Sequence, residues 1–349
     1  MDRSALNRQI KEGTLSGVYV FEGKEEYIKE QTLENIRKSL LPSGFEKLNE
    51  NVLDGADIDS VYDCAMAMPF MCDKRLVVAM DPAFIYEKKA SSKDKGQDGT
   101  AAKLSFLEND NPSCVVIIYL RSGSDRTKSK SAIQPIENKV ITFDYLNEVE
   151  LSAWIDSQCA QASASMDTEA KRELIASCGG SMNSIKLELD KLINYKYGFV
   201  SITAKDVQSV VTPDTEASVF KMIEALIAGK ADQGYSILAS MLQNNESCVS
   251  ILSMITRQIR LMCYAKAMYE SGEYSRGDIQ RSLELRYDFQ LKNILNQVTN
   301  LKSDYLENLY KRSVETETSI KSGKIGDRQG LDEMTALLCG TSKGARRNN

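Results

Sequence analysis

A short apolar run, Gly17-Val18-Tyr19-Val20-Phe21, passes through Glu22 into Gly23-Lys24 and then into a helical pattern from Glu25. Strand, Gly-Lys and helix is the order in which a chain cradles phosphate, with backbone N–H groups and a lysine meeting the oxygens. The working pattern, G-x-x-x-x-G-K-[ST], needs glycines five apart and a hydroxyl after the lysine for Mg²⁺. Here Gly17 stands six residues before Gly23, and Lys24 is followed by Glu25 and Glu26. Two carboxylates at that place repel a triphosphate. The other Gly-Lys pairs, Gly229-Lys230 and Gly323-Lys324, continue into Ala231 and Ile325. The nucleotide position is therefore degenerate at Gly23 and Lys24. Arg75-Leu76-Val77-Val78-Ala79-Met80-Asp81 has the form of an apolar strand ending in a metal-binding acid, but it has no phosphate loop to serve.

Other chemistries are narrowed by composition. The chain has His 0, so triads built on imidazole, imidazole metal ligation and histidine pH switching are excluded. None of the 8 cysteines forms a C-x-x-C pair, so zinc or iron–sulfur binding is not expected, and no metal is. Several sit in apolar runs, such as Cys114 before Val115-Val116-Ile117-Ile118, and read as small buried hydrophobes in a reducing compartment. The carboxylate pairs Glu25-Glu26 and Glu315/Glu317 lack an identifiable partner and read as solvated helix faces. A net charge of -5 argues against coating nucleic acid by bulk charge. Two local basic segments remain as phosphate-contact candidates: 121–130, with Arg121, Arg126, Lys128 and Lys130, and the tail from Lys343. The polar stretch 87–102 reads as a solvated insertion with four lysines.

The elements that position these residues follow from periodicity. A length of 349 residues with 42% hydrophobic content suggests two or three globular domains. Strands are expected at 17–21, 51–54, 75–80, 114–120 and 139–143, with helices at 25–40 and 58–68 stopped by Pro42 and Pro69. Strands separated by helices imply a mainly parallel five-stranded sheet covered on both faces. From Leu146 helical periodicity takes over, with helices expected from Leu151, at 168–176, at 182–195 and from Thr203, where Asp206 suits the first turn. Thr212-Pro213-Asp214-Thr215 breaks the pattern. Helices are then expected at 219–227, 231–242, 249–269, 287–298, 302–322 and 331–339. The N-terminus has no signal-peptide pattern, and no apolar run approaches the roughly 20 residues of a membrane span. A cytoplasmic protein is expected.

Taken in order, several segments resemble the delta subunit family of bacterial DNA polymerase III. They are Val18-Tyr19-Val20-Phe21-Glu22-Gly23-Lys24-Glu25-Glu26-Tyr27; Ala67-Met68-Pro69-Phe70-Met71-Cys72-Asp73-Lys74-Arg75-Leu76-Val77-Val78; Leu151-Ser152-Ala153-Trp154-Ile155 with Gly179-Gly180 downstream; 219–230; Arg257-Gln258-Ile259-Arg260-Leu261; and 315–323. The resemblance spans nearly the whole chain. It implies an α/β AAA+-like module over 1–145, a small helical lid over 146–213, an all-α collar over 214–341 that joins sister subunits, and a flexible tail at 342–349. It also implies a subunit of the polymerase holoenzyme with no catalytic site and no cofactor of its own. ATP would bind to sister subunits, gamma/tau, beside delta-prime. The partners implied are the sliding clamp (beta subunit), those sisters and primer–template DNA, and no membrane. A different AAA+-like ATPase and a helical scaffold for another DNA transaction are the alternatives.

The resemblance also places a clamp-binding element after the second helix. A pair of large apolar residues there, Phe70 and Met71, would enter an apolar pocket on the clamp, where the commonest family residues are Leu and Phe. Read alone, Pro69 ends the helix and offers the next two side chains at its tip. Aromatic and methionine side chains suit a groove, one rigid and one adaptable. Met68, Pro69, Lys74 and Arg75 complete the expected contact.

Overall fold

The structure, a computed structural model, describes residues 1–85, 105–108, 111–123, 138–196, 201–299 and 301–340. The stretch 87–102, the candidates Arg126, Lys128 and Lys130, and the tail 342–349 lie outside the described residues. The chain divides into two compact units, Met1–Tyr145 and Leu146–Asn349.

The first unit is built on strands β1 (Gly17–Glu22), β2 (Glu50–Asp54), β3 (Arg75–Met80), β4 (Cys114–Tyr119) and β5 (Val140–Thr142). They form one sheet in the order β2-β3-β4-β1-β5. Every pairing is parallel, with Val18 opposite Val116 and Val78 opposite Ile117. This is the expected parallel five-stranded sheet. The three central strands are apolar and buried except at their ends, Glu22 and Arg75 among them, because both faces are covered. On one face Val18, Val20, Val77, Ala79, Val116 and Ile118 pack with Ile58, Val61 and Ala65 of α4 (Ile58–Met66). On the other, Tyr19 Oη donates to Gln9 of α1 (Arg3–Glu12), and Lys29 of α2 (Glu26–Leu40) sits over the Tyr119 ring. A short helix, α3 (Glu46–Asn49), leads directly into β2. Since all strands run one way, turns entering them gather at one edge of the sheet and turns leaving them at the other.

Helix α1 was not among the expected elements. Its signal is Leu6 and Ile10, four apart and both buried, followed by Gly13 in the left-handed conformation that closes a helix. Helix α4 ends at Met66, two residues before the expected Met68. Pro69 has no N–H for the Ala65 carbonyl and disfavours helix in the residue before it. Asn111 Nδ2 donates to the Ala65 carbonyl instead, at 3.2 Å.

The second unit is helix-rich. Helices α5 (Glu148–Gln161), α6 (Thr168–Ser177), α7 (Met182–Tyr195) and α8 (Ala204–Val210) flank a two-stranded parallel ribbon, β6 (Ser165–Met166) with β7 (Ser201–Ile202). The ribbon was not anticipated, since two-residue strands carry no period. After it come α9 (Thr215–Ile227), α10 (Ala231–Gln243), α11 (Cys248–Ser271), α12 (Arg276–Ser282), α13 (Asp288–Val298), α14 (Ser303–Lys321) and α15 (Asp327–Gly340). They enclose one apolar cluster that includes Met222, Ile223, Ile255, Ile259 and Met262. The regularly spaced methionines and isoleucines of these helices, such as Ile255, Ile259 and Met262, are thus core faces. Among the described residues, no helix is long and apolar enough to cross a membrane.

Candidate functional site

Two places in the first unit carry residues singled out by sequence. They lie at opposite edges of the sheet. The first is the turn leaving β1. Gly23 has φ 114, and a Cβ built on it would lie 2.2 Å from the Phe143 carbonyl oxygen, so only glycine fits. The turn is tied to the end of β5: Phe143 N–H donates to the Glu22 carbonyl at 2.7 Å, and Glu25 N–H donates to the Phe143 carbonyl at 2.9 Å. Backbone of Phe143 thus lies directly against this turn. The start of α2 is filled as well. The Glu25 carboxylate accepts from Tyr27 N–H at 3.3 Å. Glu26 accepts from Lys29 Nζ at 2.6 Å, from Tyr119 Oη at 2.7 Å and from Ser122 N–H. Burial alone would raise the Glu26 carboxyl; these hydrogen bonds and the Lys29 charge outweigh it and hold the group below its ordinary value. Lys29 is fully buried, and its Nζ also donates to the Leu120 carbonyl at 2.8 Å. Positive ends that attract phosphate elsewhere are here neutralised by the chain's own acids.

The neighbouring turns continue the network. Arg121 forms two hydrogen bonds with Asp54, at 3.0 and 2.9 Å. Its backbone N–H and its guanidinium both reach Asp81, at 3.1 and 3.4 Å. Arg121, a phosphate-contact candidate, is thereby held by two carboxylates on the ends of β2 and β3. Asp81, the acid at the end of an apolar strand, is engaged by the same arginine.

The second place is the turn between α4 and β3, residues 67–74, where the four apolar candidates gather. Met66 is 45% exposed, Met68 86%, Phe70 52% and Met71 74%. Pro69 is half-buried between them. Met71 adopts φ 52, a left-handed conformation that a non-glycine residue takes at a cost of roughly 1 kcal/mol or more. Three large apolar side chains on one short turn, with Met66 at the helix end before it, expose more apolar surface than a lone surface hydrophobe does.

The backbone beneath these side chains is fixed. Asn49, fully buried at the end of α3, accepts from Phe70 N–H at 2.6 Å through Oδ1. Its Nδ2 donates to the Phe70 carbonyl at 2.9 Å and to the Phe45 carbonyl at 3.1 Å. Arg75 donates to the Met68 carbonyl at 3.3 Å and to Asn51 Oδ1 at 2.5 Å. Lys74 Nζ donates to the Leu15 and Gly13 carbonyls, at 2.5 and 3.1 Å. The Cys72 thiol donates to the Lys74 carbonyl at 3.1 Å. Lys74 and Arg75 thus direct their donors inward, to the chain's own backbone and Asn51. Sequence reasoning passed over Asn49. Its one local signal is an asparagine at the entry to a strand, a position that many turns share.

The comparisons with known proteins agree with one another. Residues 19–146 match the family model described as DNA polymerase III, delta subunit, and residues 216–337 match the one described as DNA polymerase III delta subunit, C-terminal domain. The chain is 25% identical over 334 residues to DNA polymerase III subunit delta of Bacillus subtilis, covering 95% of this chain and 94% of the relative. It is 18% identical over 264 residues to the protein of the same name from Escherichia coli, covering 75% of this chain and 74% of that one. Among solved structures it is similar to the Bacillus subtilis DNA clamp loader delta protein, with TM-score 0.73 at 23% identity, covering 97% of this chain and 99% of the other. That likeness agrees with the fold described above, a parallel α/β module followed by helices. Matched in both of its units by models of one family, and aligned with a relative of that name along nearly its whole length, the chain belongs to the family of DNA polymerase III delta subunits.

Proposed function

We propose that this chain is the clamp-opening subunit of a bacterial clamp loader, docking on the sliding clamp through Met68, Pro69, Phe70 and Met71. The observation that carries the reading is an exposed apolar turn on a fixed backbone. Burying Phe70 and Met71 in an apolar pocket contributes roughly 3–6 kcal/mol before the costs of association. Fixing the turn beforehand removes part of those costs. A ligand shifts an equilibrium only by its differential affinity for the two states. The docked turn therefore opens the ring by fitting a clamp with one sprung interface better than a closed one.

This subunit does so without hydrolysing ATP. The carboxylates at the start of α2 and the Phe143 backbone against Gly23 support this reading, in which ATP acts through the sister subunits gamma/tau, beside delta-prime. Residues 146–213 serve as the lid and 214–341 as the collar that joins those sisters. The assembly works on primer–template DNA in the cytoplasm as part of the polymerase holoenzyme.

The test is binding of the purified chain to its own organism's clamp, wild type beside Phe70→Ala/Met71→Ala. The expected outcome is a loss of about 100-fold in affinity, near 2.7 kcal/mol, with unchanged thermal unfolding. A folded double variant that binds as well as wild type would place the contact elsewhere.

A further inference from the structure

We infer that Asn49 is a positioning residue for clamp docking: it holds the Phe70 backbone so that Phe70 and Met71 are presented in their docking conformation before the clamp arrives. The inference rests on the docking role proposed above for Phe70 and Met71.

The geometry is specific. One carboxamide takes both hydrogen-bonding groups of one residue, Phe70 N–H at 2.6 Å and Phe70 C=O at 2.9 Å. A neighbouring strand would satisfy a residue in the same way, but the turn lies outside the ladder, which begins at Arg75 opposite Cys114. Asn49 immediately precedes β2, whose register with β3 starts at Glu50 opposite Leu76. The sheet therefore fixes where the carboxamide stands, and the carboxamide fixes Phe70. Its remaining Nδ2 hydrogen reaches Phe45, which locks the amide orientation. Few side chains fit this role: aspartate has no donor for the carbonyl when ionised, and leucine has no polar atom.

The surroundings show why fixing matters. Exposed methionine and phenylalanine side chains on an unfixed turn would fold back onto their own apolar neighbours. Here Phe70 keeps about half its surface and Met71 about three quarters, while Met71 holds a left-handed backbone. A strained, outward conformation persists only when the surroundings over-determine it. Asn49 on one side and Arg75 on the other, bound to the Met68 carbonyl, supply that constraint.

The experiment is a double-mutant cycle on the full chain, measuring clamp affinity for Asn49→Ala, for Phe70→Ala/Met71→Ala and for all three together. Methyl NMR of ¹³C-methyl-methionine protein runs in parallel. The expected result is about tenfold weaker binding for Asn49→Ala, no further loss when it is added to the Phe70/Met71 variant, and Met68 and Met71 methyl shifts moving toward those of a disordered chain. Asn49→Ser, which keeps a short donor and acceptor, stands in if the alanine variant does not fold and is expected to fall between the two. Unchanged affinity in Asn49→Ala or Asn49→Ser, or losses that simply add, would overturn the inference. If Phe70→Ala/Met71→Ala itself binds normally, the docking role fails first, and that result is separable from the other.

Discussion

Phe70 and Met71 would pass as core residues on composition alone, since large apolar side chains ahead of a strand usually continue into it. The structure leaves them outside, with Leu76 to Ala79 supplying the buried run. What sequence conveyed was the stop at Pro69 and the kind of side chain that follows. What it did not convey was direction. Lys74 and Arg75 are charged neighbours of an apolar pair and read naturally as a rim, yet they bond inward to Leu15, Gly13, Met68 and Asn51. Contacts between residues so far apart in the chain leave no local pattern. A separate residue, Asp206, permits a pH test. Hydrogen bonds from Lys196 and from the Thr203 N–H and hydroxyl hold its carboxyl at about 2, against an ordinary 3.8. A depressed carboxyl contributes stability above its unfolded value and loses it as pH falls toward its folded one. Asp206→Asn is therefore expected to lower the melting temperature at neutral pH, with the gap to wild type closing between about pH 4 and pH 2. A gap independent of pH would contradict this assignment.

Among the elements, the central strands and long helices were legible because their periods run for many residues. Met182–Tyr195 begins and ends where its pattern does, and Ala231–Gln243 differs by one residue. The elements that escaped are short or capped by backbone geometry. The β6–β7 ribbon has two residues per strand. Helix α12 announces itself only by Ser275, which accepts from Asp278 N–H at 3.2 Å while the Asp278 carboxylate receives the Ser275 N–H at 3.1 Å. Within the second unit, a packed glycine ties the turn before α7 to the start of α13. Gly180, just before α7, has φ 78, and a Cβ there would lie 2.0 Å from the Tyr287 ring. The Tyr287 hydroxyl donates to the Gly180 carbonyl, and Gln290 Nε2 donates to Gly179 at 3.4 Å. Gly180→Ala must move the ring at the start of α13 and adopt a left-handed backbone. The expected cost is about 2–4 kcal/mol in chemical unfolding, with clamp affinity of the folded fraction preserved. A neutral substitution would show that α7 and α13 are not held together in this way.

At the scale of the molecule, all groups that build the turn proposed to dock belong to residues 1–145, and the sheet lies within that unit. A chain ending at Tyr145 is therefore expected to fold and to bind the clamp within about tenfold of the full protein, judged by circular dichroism and titration calorimetry. A folded fragment with no affinity would show that helices beyond 145 contribute directly. The parallel sheet has one more consequence. The exposed turn 67–74 enters β3, whereas the turns bearing Lys24, Asp81 and Arg121 leave their strands at the far edge, a strand length of roughly 20 Å away. A body seated on one edge does not crowd the other. Side chains of the entry-side turn are therefore too far from the paired acids and arginine of the exit side to touch them. Substitutions at the two poles should then combine as independent free energies, each leaving the cost of the other unchanged.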